Sequence, residues 1–283
     1  MPEFEVSEGV HIHYEEFGTG DRYVICTMID YPRYSSIREL SKLGYHVFLL
    51  TNRGFGKSDH SAVDYGSGWW DIWAQDVITF ADKMNIQKFV YAGDSHGAGT
   101  GWHLCWKHQD RLDAFVGIVP GPYNLDEGFV SYRTRILRGE KVKPMEIPPE
   151  TFHDPAVTRR VRQDQEYSAE ERKDHQSPEE KALDYKRPLI ALENEENTKA
   201  FLKSIQIPVL IIGGTEDPIS RPDLMLRAVE CIPHSKLILY SGFSHNEPWL
   251  VFVEEVSSEI AYFLDNVYEN DGHYYKKIIN TPD

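Results

Sequence analysis

Between the apolar run Lys88–Ala92 (KFVYA) and the helical stretch Ala98–His108 (AGTGWHLCWKH) the chain reads Gly-Asp-Ser-His-Gly, residues 93–97. A buried strand that turns into a helix within five residues crowds its own backbone, so small residues are required two before and two after the turn residue. Gly93 and Gly97 meet that requirement only when Ser95 is central. Centring Asp94 puts His96 at a flank, and centring His96 puts Asp94 there. Ser95 is therefore the exposed residue of a strand-turn-helix elbow and the candidate nucleophile.

The rest of the chain repeats the alternation that such an elbow needs. Val10–Ile29 reads as a strand, a glycine turn and a second strand around Tyr23–Met28. A helix over 34–44 ends at Gly44, the strand YHVFLL follows, and a glycine-rich turn (TNRGFGKSD) leads to an amphipathic helix over 68–85. Trp69, Ile72, Trp73 and Val77 fall on its inward face. Beyond the elbow helix come the strand AFVGIVP, the strand IPVLIIGG, the helix RPDLMLRAVECIP and the strand SKLILY. One long amphipathic helix is expected over Glu247–Val267. Continuous apolar strands alternating with helices specify an α/β fold, a mostly parallel central sheet covered by helices on both faces. Composition changes over 121–203, where charged helical sequence replaces strand signals. The reading is a core formed by 1–120 and 204–283 with a helical cap inserted over 121–203. The polar end, 270–283, is expected to be loosely held.

The formal charge is −15, from 30 basic and 45 acidic residues. That balance argues against nucleic acid and anionic membrane as partners. No run of 18 or more apolar residues occurs, and the N-terminus lacks the apolar stretch of a signal peptide. Cys26, Cys105 and Cys231 are few, odd in number and widely spaced, so reduced thiols in a cytoplasmic protein are expected. A small-molecule substrate is the expected partner, and a homodimer is left open. There is no metal-ligand spacing, phosphate loop or dinucleotide fingerprint, so no cofactor is expected. The glycines of Gly97–Gly101 are assigned to close helix–sheet packing.

A serine hydroxyl attacks only when a base takes its proton, and the base needs an acid to orient it. Both follow Ser95 at strand ends: Asp217 just past IPVLIIGG, with Glu216 as its neighbouring rival, and His245 just past SKLILY. The segments GVHIHYEEFGTG, NRGFGKSD, GDSHG, GGTEDP and GFSHNEPW occur in an order that resembles the α/β-hydrolase fold family over nearly the whole chain. That resemblance implies Ser95 as nucleophile, His245 as general base and acid, and Asp217 as its orienting partner. It also implies that the backbone N–H of His96 faces the oxyanion. The His96 side chain is assigned to packing, Asp94 to a local hydrogen bond at the turn, and His11, His13, His46, His103 and His108 to structure or solvent.

Two departures from the family pattern stand out. Many members carry His-Gly after the third strand; here the stretch is VICTMIDYPRYSS, and the second oxyanion donor is the N–H of Met28 or Ile29. Asp30 would lie close by, where a carboxylate opposes a developing oxyanion unless protonated or turned away. Asn52 replaces the aspartate that often opens the glycine-rich turn, and Arg53 is expected to pair internally. Asp30, Tyr123, Phe129, Tyr132 and Trp249 are the candidate pocket residues under the cap. The leading function is hydrolysis of an ester, lactone or related carbonyl bond of a small to medium hydrophobic molecule. Serine at the elbow disfavours the aspartate chemistry of dehalogenases and epoxide hydrolases of this fold. A cofactor-independent dioxygenase, similar at Ser95-His96-Gly97, and a small-molecule receptor are the alternatives.

Overall fold

The computed structural model describes residues 3–29, 35–120, 130–143, 154–171 and 176–269. Its centre is one eight-stranded sheet: β1 (Glu3–Ser7), β2 (Val10–Phe17), β3 (Tyr23–Met28), β4 (His46–Thr51), β5 (Phe89–Asp94), β6 (Leu112–Ile118), β7 (Val209–Gly214) and β8 (Ser235–Tyr240). The strand order is β1-β2-β4-β3-β5-β6-β7-β8. β2 runs antiparallel to β1 and β4, and β4 through β8 pair in parallel. The mostly parallel sheet read from the alternation is therefore present, and β1 is a strand that the reading missed.

Strand residues divide by period two between the two faces, as a sheet covered on both sides requires. Ile25, Phe89 and Tyr91 enter one core with Val77, Phe80, Trp102 and Met225. Val24, Cys26, Val90 and Ala92 enter the opposite core with Val256, Ile260 and Phe263. The helices of the described residues are α1 (Ser36–Glu39), α2 (Trp69–Lys83), α3 (His96–Lys107), α4 (Tyr132–Leu137), α5 (Pro155–Glu171), α6 (Pro178–Lys181), α7 (Glu195–Ser204), α8 (Pro222–Cys231), α9 (Glu247–Leu250) and α10 (Val253–Glu269), and α2, α3, α8 and α10 supply the core residues just named. The described part of 121–203 is helical and carries no strand. α7 packs Phe201 and Leu202 into the same core as α3 and α8.

Three local expectations need correction. The helix over 34–44 tightens into a 3-10 turn over Leu40–Leu43 before Gly44 ends it at φ 92°. Ile72 is half-buried, whereas its neighbour Trp70 is buried with Trp69, Trp73 and Val77. The long C-terminal helix is broken between Leu250 and Val253. The Arg160 guanidinium of α5 takes the Val251 carbonyl and pairs with Glu254 at 2.9 Å. A carbonyl captured from outside is not free for a regular helical bond, so the chain restarts as α10. Among the described residues, no helix is long and apolar enough to cross a membrane.

Candidate active site

The site sits at the carboxyl edge of the parallel strands, where β5, β7 and β8 deliver their next residues to one place. Ser95 adopts φ 47° and ψ −108°. That is a costly conformation for a residue with a Cβ, and it persists only where its surroundings over-determine it. The Ser95 N–H donates to Ile118 O at 2.9 Å, and Ser95 O accepts from the Gly99 N–H at 3.2 Å. A Cβ on Gly93 would lie 2.5 Å from the Gly97 carbonyl carbon, and one on Gly97 would lie 2.1 Å from Thr27 O. The two flanking glycines are thus required by backbone crowding, as read from the sequence. Below them, the buried Tyr91 hydroxyl bonds Gly97 O at 2.8 Å and Thr27 Oγ1 at 2.7 Å. Gly99 and Gly101 face the rings of Trp70 and Phe115 closely enough to exclude any side chain.

Ser95 Oγ lies 2.8 Å from His245 Nε2. His245 Nδ1 lies 2.8 Å from Asp217 Oδ2. The other carboxylate oxygen, Oδ1, accepts the N–H groups of Ile219 at 2.7 Å and Ser220 at 2.9 Å. Those two backbone donors fix the rotamer of Asp217 and leave Oδ2 to the histidine. Asp217 and His245 are buried, at 3% and 2% exposure. Glu216 is exposed and stands 3.6 Å from Lys143, so it takes no part in this chain of contacts. The arrangement can carry a proton from the serine hydroxyl to the imidazole while the carboxylate orients the ring.

His96 follows Ser95 at the start of α3. Its ring is caged by Trp70 at 4.7 Å, Trp73 at 4.5 Å and Phe55 at 5.5 Å between ring centroids. Asn52 Nδ2 lies 3.3 Å from its Nδ1, and its Nε2 is buried with no hydrogen-bond partner among the described residues. Burial, and then the charge of Arg133, lower its pKa from 6.5 to about 3. The side chain is a neutral aromatic wall, in keeping with its assignment to packing. In the unfolded chain it would take a proton near pH 6.5, whereas in the folded chain it resists until about pH 3. The unfolded state then binds more protons in that window, so stability is complete above it and is lost as pH falls through it. About 2 kcal/mol should go between pH 7 and pH 5 on this account. Denaturant melts of His96→Gln are expected to show a correspondingly smaller loss over that range; an unchanged loss would assign the acid sensitivity elsewhere.

Arg53 pairs internally, as expected, with its Nε 2.8 Å from Asp76 Oδ2. His103 bonds Asp71 at 2.7 Å and accepts the Leu189 N–H at 3.1 Å, and His46 bonds Glu16 at 2.7 Å. These are structural contacts. At the end of β3, Met28 is buried and Ile29 packs against the cluster of Phe55, Trp69, Trp70, Trp73, Leu183 and Tyr185. Asp30, Tyr123 and Phe129 lie outside the described residues, and of Trp249 only the backbone, in α9, is described. Tyr132 is half-buried, and its hydroxyl donates to Lys143 O at 3.1 Å within the inserted segment. The sequence reading missed Tyr185 and Leu183, which close the aromatic cage from the inserted segment. Their apolar character within a charged stretch was the available signal.

A mostly parallel sheet with a serine elbow after β5, an acid after β7 and a histidine after β8 defines the α/β-hydrolase class of architecture. The sequence profile of the alpha/beta hydrolase fold matches residues 25–250, and the chain belongs to that family. It is 22% identical to the bifunctional esterase/perhydrolase of Acinetobacter calcoaceticus, over 91% of this chain and 97% of that protein. It is 24% identical to the 2-hydroxy-6-oxononadienedioate/2-hydroxy-6-oxononatrienedioate hydrolase of Escherichia coli, over 87% and 88% of the two chains. The fold is similar to that of the meta-cleavage product hydrolase from Pseudomonas fluorescens IP01, with a TM-score of 0.70 at 18% identity over 94% and 98% of the chains. Family and relatives together support a hydrolase.

Proposed function

We propose that the protein is a serine hydrolase acting on an ester, lactone or related carbonyl bond of a small to medium molecule through an acyl-enzyme on Ser95. The observation that carries this reading is the continuous relay from Ser95 Oγ to His245 Nε2 and from His245 Nδ1 to Asp217 Oδ2, each step 2.8 Å. Ser95 attacks the carbonyl carbon and His245 takes the hydroxyl proton. His245 then returns that proton to the leaving oxygen, and water, deprotonated by the same imidazole, releases the acid.

The oxyanion is assigned to the backbone N–H groups of His96 and Ile29. Within a strand the N–H and C=O of one residue face the same side, and successive residues alternate. Met28 O accepts the Asn52 N–H at 3.0 Å, on the β4 side. Thr27 O is turned to the elbow, against Gly97. The alternation carries the Ile29 N–H to the elbow side and the Met28 N–H away from it, which favours Ile29 of the two candidates.

An alkyl fluorophosphonate tests the reading directly. A single adduct by intact mass is expected on the native chain, with none on Ser95→Ala or His245→Ala. No adduct on the folded native chain would sink the proposal. Turnover of a hydroxylated aromatic with oxygen uptake that survives in Ser95→Ala would replace it with the dioxygenase reading.

A further inference from the structure

β8 ends the sheet. It pairs with β7 in parallel along Ser235–Tyr240, and among the described residues no strand pairs with its other side. The Val209 N–H donates to His234 O at 2.8 Å, and the Thr215 N–H donates to Tyr240 O at 3.0 Å. Backbone groups alternate along a strand, so the even-numbered residues of β8 face β7. The N–H and C=O groups of Ser235, Leu237 and Leu239 point the other way, out of the sheet. An apolar strand with an open edge is a template for another strand.

The side chains along this edge differ between its two faces. Leu237 packs against the core shared with α8, where Leu239 is 36% and Leu226 48% exposed. On the opposite face Ile238 and Tyr240 pack against the other core. Lys236 pairs there with Glu259 of α10 at 3.2 Å and lies 5.5 Å from the centroid of the Tyr262 ring. Glu255 stands one turn before Glu259. Burial first, and then the charges of Glu255 and Glu259, push the Tyr240 hydroxyl up to about 12. One end of β8 therefore presents a cation, and the other lies in an acidic field.

We propose that the outer edge of β8 is an interface for a second copy of this chain, paired antiparallel about Ile238 so that one sheet runs through both molecules. Outward-facing residues must meet outward-facing residues, so Leu237 of one copy falls opposite Leu239 of the other and exchanges both backbone bonds with it. Ile238 meets its own equivalent on the two-fold axis, and Lys236 falls opposite Tyr240. Both faces favour this register. On the α8 side the leucines form one apolar row across the axis. On the α10 side each Lys236 enters the acidic surroundings of the other copy's Tyr240. The neighbouring register, centred on Leu237, would set Ser235 against Leu239 and Lys236 against Ile238, and it loses both matches. The edge is thus complementary to itself, as a two-fold contact requires. Two chains of formal charge −15 repel one another, and the crossed lysines place the opposite sign where the copies come closest.

Sedimentation velocity at about 10 μM is expected to give twice the 32.7 kDa of one chain. Leu239→Pro removes an N–H that points out of the sheet, and proline is tolerated at such an edge position. It should raise the dimer Kd by about a hundredfold or more with near-UV circular dichroism unchanged. Glu255→Lys sets a lysine near the other copy's Lys236 and should weaken the dimer by about tenfold. Ile238→Cys, in a Cys231→Ser background, should cross-link to its own equivalent on oxidation. A non-hydrogen-bonded pair has its Cα atoms about 4.5 Å apart, within disulfide range. Leu237→Cys should not, because its equivalent lies off the axis. The cross-link decides the matter where Leu239→Pro fails to fold, and none of these readouts depends on the hydrolase reading. A native chain that stays monomeric at about 100 μM overturns the proposal. If the Leu237 and Leu239 amides of that monomer exchange slowly with solvent, the edge belongs to another segment of the same chain. A dimer that Glu255→Lys tightens, one in which Ile238→Cys does not cross-link, or one in which Leu237→Cys cross-links as fully, overturns it as well.

Discussion

Asp217→Asn is expected to lower kcat for ester cleavage by about 10⁴-fold with KM and stability little changed. The reason lies in which oxygen is free. Oδ1 accepts two backbone N–H groups, from Ile219 and Ser220, and an NH₂ in that position would oppose both donors. The amide of an asparagine therefore settles with its oxygen toward the backbone and its NH₂ toward His245 Nδ1. That nitrogen must then accept, so the proton of the neutral ring moves to Nε2. Nε2 is the atom 2.8 Å from Ser95 Oγ, and once protonated it no longer accepts the serine proton. The fold feels little, because size and hydrogen-bond count are conserved. Pre-steady-state acylation by a para-nitrophenyl ester measures the effect. A loss below tenfold would mean that Asp217 does not set the tautomer.

Gly97→Ala is expected to cost about 3 kcal/mol or more in stability, in the range of severe single substitutions. It should also lower kcat/KM by about a hundredfold in the fraction that folds, since small misplacements of a reacting group are costly. The new methyl would meet Thr27 O at 2.1 Å, and neither side can give. Thr27 is paired with Leu50 in the middle of the sheet, and its hydroxyl is tied to Tyr91. Tyr91 in turn holds the Gly97 carbonyl. Relief would have to come from lifting α3, which carries Ser95 with it. Gly68→Ala is the control, because its nearest contact would be 3.7 Å away. Denaturant midpoints that fall together for the two variants would show that the elbow has slack it is not expected to have.

The sheet and the relay were legible because each rests on a local requirement. Strands buried on two faces must be apolar throughout, and a backbone that folds on itself must carry glycine, so Gly93 and Gly97 single out Ser95 within a run of three reactive side chains. The family spacing already favours Asp217 over Glu216, and the structure shows the physical difference between them: two backbone N–H groups hold the Asp217 carboxylate, whereas Glu216 is exposed beside Lys143. β1 escaped notice because Glu3, Glu5 and Ser7 face solvent and Val6 is its single buried side chain. The break before α10 was not readable from its own residues, since it follows from an arginine in α5. The same holds for the cage around His96, which depends on Leu183 and Tyr185 arriving from a charged segment whose periodicity gives no hint of where it docks.

Ser95 and His245 are 150 residues apart in the chain, yet they share one proton path. The two strands that deliver Asp217 and His245, β7 and β8, are the outer strands on one side of the sheet. On the proposed mechanism, a nascent or refolding chain that has assembled β1 to β6 displays its serine on a finished elbow with no base to arm it. The expected reactivity toward the fluorophosphonate would therefore serve as a clock for the closing of β7 and β8. Its appearance, timed against burial of the tryptophans in α2 and α3, separates closure of the sheet from collapse of the first core.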